Sequence, residues 1–171
     1  MQHEHSERFE GYCERLHDSV NIHPMLEWIT KIDFHEWPQQ HPHFGEIRPA
    51  MINDRNWHHF GRYADELLLG CRSFDKILAY PNEARAPMLS VVMPGHYIHS
   101  HVDPQPPDWV VRIHVPLMTN RESCIFMDRA YHLEIGCAYK INTERKHAIM
   151  NHGDTPRIHF MFDIFNREYK Q

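Results

Sequence analysis

The chain has 171 residues, 42% hydrophobic and 24% charged, with a formal net charge of −5. That size and balance fit one globular domain that buries its own core without disulfides, and they lack the basic footprint of a general nucleic-acid binder. No apolar run is long enough to span a membrane, and four scattered cysteines with no CxxC pair and no leader-like start read as free thiols of a cytoplasmic chain.

In chain order, Phe9, Tyr12, Cys13 and Leu16 fall at helical spacing and predict an amphipathic helix over Ser6–Val20. Pro24, followed by Met25, Leu26, Trp28 and Ile29, predicts a short helix with proline in its first turn. Trp37–Pro49 is rich in Pro, Gln and His and reads as loop. Phe60, Tyr63 and Leu67 predict another helix over Asn53–Leu69, stopped by Gly70. Pro87–Met93 then suits a buried strand, and Pro94-Gly95 marks a turn. Further strands are predicted at Tyr97–His101, Val110–Leu117, Ser123–Met127, Tyr131–Ile135, Ala138–Ile141, His147–Asn151 and Arg157–Phe165. Breaks fall at Pro104–Asp108, Thr119–Arg121, Gly136 and Gly153–Pro156. Many short strands at close spacing indicate a jelly-roll sandwich or barrel. The expectation is a single domain, mainly helical over 1–85 and mainly β over 86–171, with the chemistry in the second part.

There are 17 histidines, so abundance singles out none of them. Spacing does more. His101 and Asp103 are two apart, and residues i and i+2 of a strand share a face. His147 opens a later strand and is the candidate third ligand. Two imidazoles and one carboxylate on one side of a metal leave three positions open, as non-haem Fe(II) oxygenases require. Arg157, on the next strand, offers a fork suited to gripping a carboxylate with two hydrogen bonds. Each piece alone also reads as an ordinary surface or strand residue. Order and placement within one β region raise them together.

The segment from Ser90 to Asp163 resembles the aspartyl/asparaginyl β-hydroxylase-like family of Fe(II)/2-oxoglutarate oxygenases, which includes hydroxylases of free amino acids. The matching residues are Ser90, Pro94-Gly95, His101 with Asp103, Arg112-Ile113-His114, Val115-Pro116-Leu117 before Thr119-Asn120, Gly136, His147, Asn151 with Gly153, and Arg157-Ile158-His159 leading to Asp163. The resemblance implies a double-stranded β-helix (cupin-like jelly-roll) core. It implies iron held by His101, Asp103 and His147, and Arg157 paired with the distal carboxylate of 2-oxoglutarate, with Ser90 as its hydroxyl helper. His114 resembles the residue near the metal-bound carboxylate. Arg112 shares its strand face and is expected to meet co-substrate or substrate. O2 is the other co-substrate, and retention of Asp103 favours hydroxylation over halogenation.

The prime substrate is expected to be a free amino acid or similar small carboxylate, with Gln105, Trp109 and Arg129 as further candidates for its pocket and Pro104–Asp108 as a stiff lid or specificity loop. One alternative is a residue within a protein or peptide. Another is a non-oxygenase metal enzyme on a cupin-like core, which needs no carboxylate anchor such as Arg157. A third is a binding protein that kept the fold and lost catalysis, against which the full ligand set argues. No nucleic-acid or membrane partner is expected. His132 and His152 are the reserve metal ligands.

Overall fold

Two antiparallel sheets stack with a cavity between them. The structure is a computed structural model that describes residues 7–30, 51–53 and 82–166. Its elements are β1 (Cys13–His17), α1 (His23–Ile29), β2 (Met51–Asn53), β3 (Asn82–Val92), β4 (His96–His101), β5 (Trp109–Met118), β6 (Ser123–Phe126), β7 (Ala130–Tyr131), β8 (Ala138–Ile141), β9 (His147–Asn151) and β10 (Arg157–Asn166). The larger sheet runs β1-β8-β5-β10-β3-β2 and the smaller β4-β9-β6-β7. This is the expected jelly-roll core.

Strand alternation explains why the larger sheet can carry both a core and a site. On β10, Ile158, Phe160, Phe162 and Ile164 join Leu89 and Val91 of β3 and Ile113 and Val115 of β5 in one apolar layer, covered by Val20 and by Met25 and Ile29 of α1. The intervening positions, including Ser90, Arg112, His114 and Met161, line the cavity between the sheets. Both faces of β5 and β10 are therefore buried, which accounts for their near-continuous apolar sequences. Full burial of Phe160 or Phe162 contributes about 1.5–3 kcal/mol each.

Most predicted strands are present with small changes of boundary, and α1 carries proline in its first turn as expected. The predicted helix over Ser6–Val20 is not formed. Cys13–His17 is instead an edge strand, paired antiparallel with β8. The four apolar residues that suggested a helical face go to different places. Phe9 and Leu16 pack on the layer under α1, Cys13 packs between the sheets, and Tyr12 is 38% exposed. An available sheet edge has overridden local spacing.

The predicted strand Tyr131–Ile135 shrinks to Ala130–Tyr131. Beyond it, Cys137 N–H bonds to the Glu134 carbonyl and Gly136 N–H to that of Pro116, closing a turn around Gly136 at φ +74°. Ile135 is left 51% exposed at that turn. The loop read over Trp37–Pro49 and the helix read over Asn53–Leu69, apart from Asn53 at the end of β2, lie outside the described residues.

Asn151 ties the two sheets together. Its amide donates to the carbonyls of Val92 and Thr155, both at 2.8 Å, and its Oδ1 accepts from Asn120 Nδ2 at 3.0 Å and Gly153 N–H at 3.1 Å. A side chain at Gly153 would meet the Asn120 amide, which would have to shift from its bonds to Asn151 and Thr155. Asn151→Ala should destabilise the fold by about 3 kcal/mol, since buried polar groups left without partners cost about 1–3 kcal/mol each. The denaturant midpoint measures this. A change below about 1 kcal/mol would mean that other groups or water satisfy those partners.

Candidate metal centre

Strand pairing, rather than proximity in sequence, assembles the centre. His101 ends β4 and His147 opens β9, and the two are directly paired across the smaller sheet. Their rings lie 4.3 Å apart, centroid to centroid. Asp103 stands two residues beyond His101, just past the strand, where its N–H bonds to the Thr143 carbonyl at 2.8 Å. Its Oδ1 is 3.6 Å from His101 Nε2. One ligand atom from each of the three lies within 4.8 Å of the others, a group that could hold a metal ion.

The surroundings prepare these side chains as ligands. His101 Nδ1 is 2.6 Å from the His99 carbonyl, and His147 Nδ1 is 2.9 Å from the Arg145 carbonyl. A carbonyl only accepts, so each Nδ1 carries the proton and each Nε2 keeps its lone pair for a metal. Burial lowers the pKa of His147, which favours the neutral, ligating form.

Arg112 positions the carboxylate. Its Nη1 donates to Asp103 Oδ2 at 2.7 Å, while Nε and Nη2 grip both oxygens of Asp163 at 2.8 and 2.9 Å. Trp109 Nε1 donates to the same Asp163 at 3.2 Å. Burial disfavours the charge on Arg112, but Asp163 and then Asp103 outweigh it and hold its pKa above the ordinary value. Arg112 was expected to meet co-substrate or substrate. It lines the cavity, but three of its N–H groups are already spent on two carboxylates. Asp163 is the functional residue that sequence reasoning left without a role.

Arg157 presents the opposite electrostatic case. It is 1% exposed, and among the described residues its Nη1 has no hydrogen-bond partner. Nη2 donates to His159 Nδ1 at 2.9 Å, and that atom lies 3.3 Å from His114 Nδ1. Arg157 therefore stands one step behind the cavity wall, which Ser90 and His114 line directly. Burial without a compensating carboxylate brings its pKa down to about 9, with Cys124 opposing slightly. Burial, and then the charge of Arg157, also push His114 and His159 well below the ordinary imidazole value. His114 Nε2 is the second buried atom without a partner. A buried cation and a buried imidazole nitrogen, both unmatched and linked to one cavity, suit an anionic ligand, so the residues fit iron together with a dicarboxylate.

Of the other candidates, Gln105 lines the cavity, with its amide on Thr143 Oγ1 at 3.1 Å. Trp109 is buried and acts through Asp163, while Arg129 stacks on Tyr131. His132 bonds to the Ser123 carbonyl, and neither it nor His152 joins the ligand group. His41, His43, His58 and His59 lie outside the described residues.

The family model of aspartyl/asparaginyl β-hydroxylases matches residues 37–167, well over half of the chain. The chain belongs to the aspartyl/asparaginyl β-hydroxylase family. The hydroxylase is thus an enzyme of the Fe(II)/2-oxoglutarate oxygenase class that the resemblance implied. No curated protein sequence matches it. Among solved structures, a viral collagen prolyl hydroxylase from Paramecium Bursaria Chlorella virus-1, with 2OG bound, aligns with a TM-score of 0.54 at 12% identity, over 91% of this chain and 96% of that one. A Pseudomonas putida prolyl-4-hydroxylase gives 0.53 at 11% identity, over 92% and 94%. At such identities the likeness shows a shared fold. With a 2OG-Fe(II) oxygenase family protein from Burkholderia pseudomallei (TM-score 0.46, 13% identity), 59% of the hydroxylase overlaps 55% of that chain. Among the described residues no helix is long and apolar enough to cross a membrane.

Two predictions come from this geometry. Asp163→Asn keeps the shape but removes the charge that holds Arg112, so Asp103 loses its fixed partner. Iron affinity in an anaerobic titration should fall by about 10–100-fold, the range for residues that orient metal ligands. Unchanged affinity would show that Asp103 is positioned by other contacts. The second concerns acid. His114 and His159 are buried neutral, with folded pKa values well below the unfolded value near 6.5. The unfolded chain therefore binds more protons as pH falls below about 6.5, and each group subtracts up to about 1.4 kcal/mol of stability per pH unit until its folded pKa is reached. His159→Gln should flatten this acid loss in melts between pH 7.5 and 5. An unchanged slope would show that His159 does not contribute to it.

Proposed function

We propose that this hydroxylase inserts oxygen into a C–H bond of a small amino-acid-like substrate. It does so while decarboxylating 2-oxoglutarate to succinate, in the cytoplasm. The observation that carries this reading is one cavity of about 360 Å³ with the His101–Asp103–His147 group in its wall and the unmatched Arg157 behind it. That volume is near the lower end of ligand pockets, which span about 300–1,000 Å³, and it serves co-substrate and substrate together. Three free cysteines among the described residues support a reducing compartment.

Bound iron, with 2-oxoglutarate and O2, supplies the oxidising power for an unactivated C–H bond. The chain supplies placement. His101, His147 and Asp103 would hold the metal. Arg157, helped by Ser90, anchors the distal carboxylate of the co-substrate, and His114 closes that end of the cavity. Arg112 holds Asp103 and keeps two N–H groups for a carboxylate of co-substrate or substrate. Ile98, Ile125, Ile149 and Met161 line the same space and give it apolar walls. A cupin-like metal enzyme without 2-oxoglutarate has no need of a buried guanidinium such as Arg157, so that residue favours the oxygenase reading.

The test is a screen of amino acids with Fe(II), ascorbate and 2-oxoglutarate, following succinate and a product heavier by one oxygen. Hydroxylation seen only on proteins or peptides would overturn the small-substrate assignment. Arg157→Lys keeps the charge but loses the fork, so the 2-oxoglutarate KM should rise at least about tenfold, while anaerobic Fe(II) binding stays near wild type. A buried pair broken by removal of one partner costs about 3–5 kcal/mol, so Arg157→Ala should be worse still. An unchanged KM in both variants would remove Arg157 from the co-substrate site.

A further inference from the structure

We infer that Arg8, near the start of the described chain, is a positioning residue for the metal centre. It clamps together the two loops that carry the ligands, and the assignment rests on the metal reading above. Asp103 begins the loop between β4 and β5, and His147 ends the loop between β8 and β9. Arg8 Nη1 donates to both Glu144 oxygens at 2.8 Å, on the second loop, and Nη2 donates to the Pro106 carbonyl at 2.7 Å, on the first. One guanidinium thus bridges a point three residues after Asp103 and a point three residues before His147.

Neighbouring contacts make this bridge specific. The segment holding Arg8 is itself docked, with Phe9 N–H on the Val110 carbonyl at 2.9 Å and the Phe9 carbonyl accepting from Asn142 Nδ2 at 2.7 Å. The same two loops meet directly through Asp103 N–H on the Thr143 carbonyl and Gln105 Nε2 on Thr143 Oγ1. The Arg8 Cζ also sits 5.6 Å from the centre of the Trp109 ring, and Trp109 bonds to Asp163, which holds Arg112 and through it Asp103. Arg8 therefore touches both supports of Asp103, the loop and the buried charge network. The Arg8 and Glu144 side chains are 31% and 29% exposed, so the ion pair adds little to folding. Its effect lies in the relative position of the loops. Arg8 also lies outside the segment that the family model matches.

The test uses Co(II), whose absorption reports binding and ligand geometry without turnover. In the full chain, Arg8→Ala should weaken Co(II) binding about tenfold, at the low end for residues acting through metal ligands, and alter the ligand-field spectrum, with a metal-free melting temperature close to wild type. Arg8→Lys keeps the charge but cannot bridge Glu144 and Pro106 with a fork, so it should fall between. Arg15→Ala is the control, because Arg15 also makes an arginine–glutamate ion pair, more exposed, with Glu134 away from the ligand loops. Co(II) affinity unchanged in Arg8→Ala would overturn the assignment. So would an equal loss in Arg15→Ala, which would mean general loosening. A wild-type chain that binds no Co(II) would instead overturn the metal reading itself.

Discussion

The site depends on one buried guanidinium held between two carboxylates. Arg112 sits on β5, Asp163 beside it on β10, and Asp103 reaches over from the β4–β5 loop. Without Arg112, Asp103 and Asp163 would share one wall with no cation between them. With it, Asp103 is held and aimed. The remaining ligand geometry then follows from the direct pairing of His101 with His147 and from two carbonyls that fix the imidazole protons. The candidate metal site is thus a join between the sheets. The smaller sheet gives the histidines, and the larger gives the charge that orients the carboxylate.

The same cavity contains a second buried arginine treated in the opposite way. Arg112 has more negative charge around it than it needs, and its pKa is held up. Arg157 has no carboxylate partner among the described residues, and burial brings it down to about 9. Under the proposed function this asymmetry separates the roles, with Arg112 supporting the carboxylate ligand and Arg157 open to an anion. His114 and His159 fit this division. They are kept neutral by burial beside Arg157, so they add no competing charge at that end.

Much of this was readable from the residues. The HxD spacing, His147 opening a strand and Arg157 opening the next were visible as patterns, and most β-strands follow from apolar runs cut by turns. The segment over Cys13–His17 was not, because its apolar residues satisfy helical spacing while a free edge of β8 decides the outcome. Nor was the partner of Arg112. Asp163 lies 51 residues away, and only the antiparallel register of β5 and β10 sets Arg112 opposite it. Tertiary pairings of this kind leave no local trace. The triad could be found from the HxD spacing and the resemblance, although Asp103 lies just past β4 rather than on the strand. The groups that position it come from other strands and from the N-terminal segment.

The energetic cost of Arg157 has a functional counterpart. A buried cation with an unmatched N–H destabilises the ligand-free chain, and a carboxylate that reaches it removes the penalty. Any ligand that binds only the folded form stabilises it, by about 2.7 kcal/mol at a concentration one hundred times its Kd. Under the proposed function, the part of that affinity owed to Arg157 would come from satisfying a buried N–H, and since Arg157 stands behind Ser90 and His114, solvent would screen the contact weakly. The candidate metal ligands and the proposed anion anchor therefore rest on separate networks, one built on Arg112 and its two carboxylates, the other on Arg157, His159 and His114.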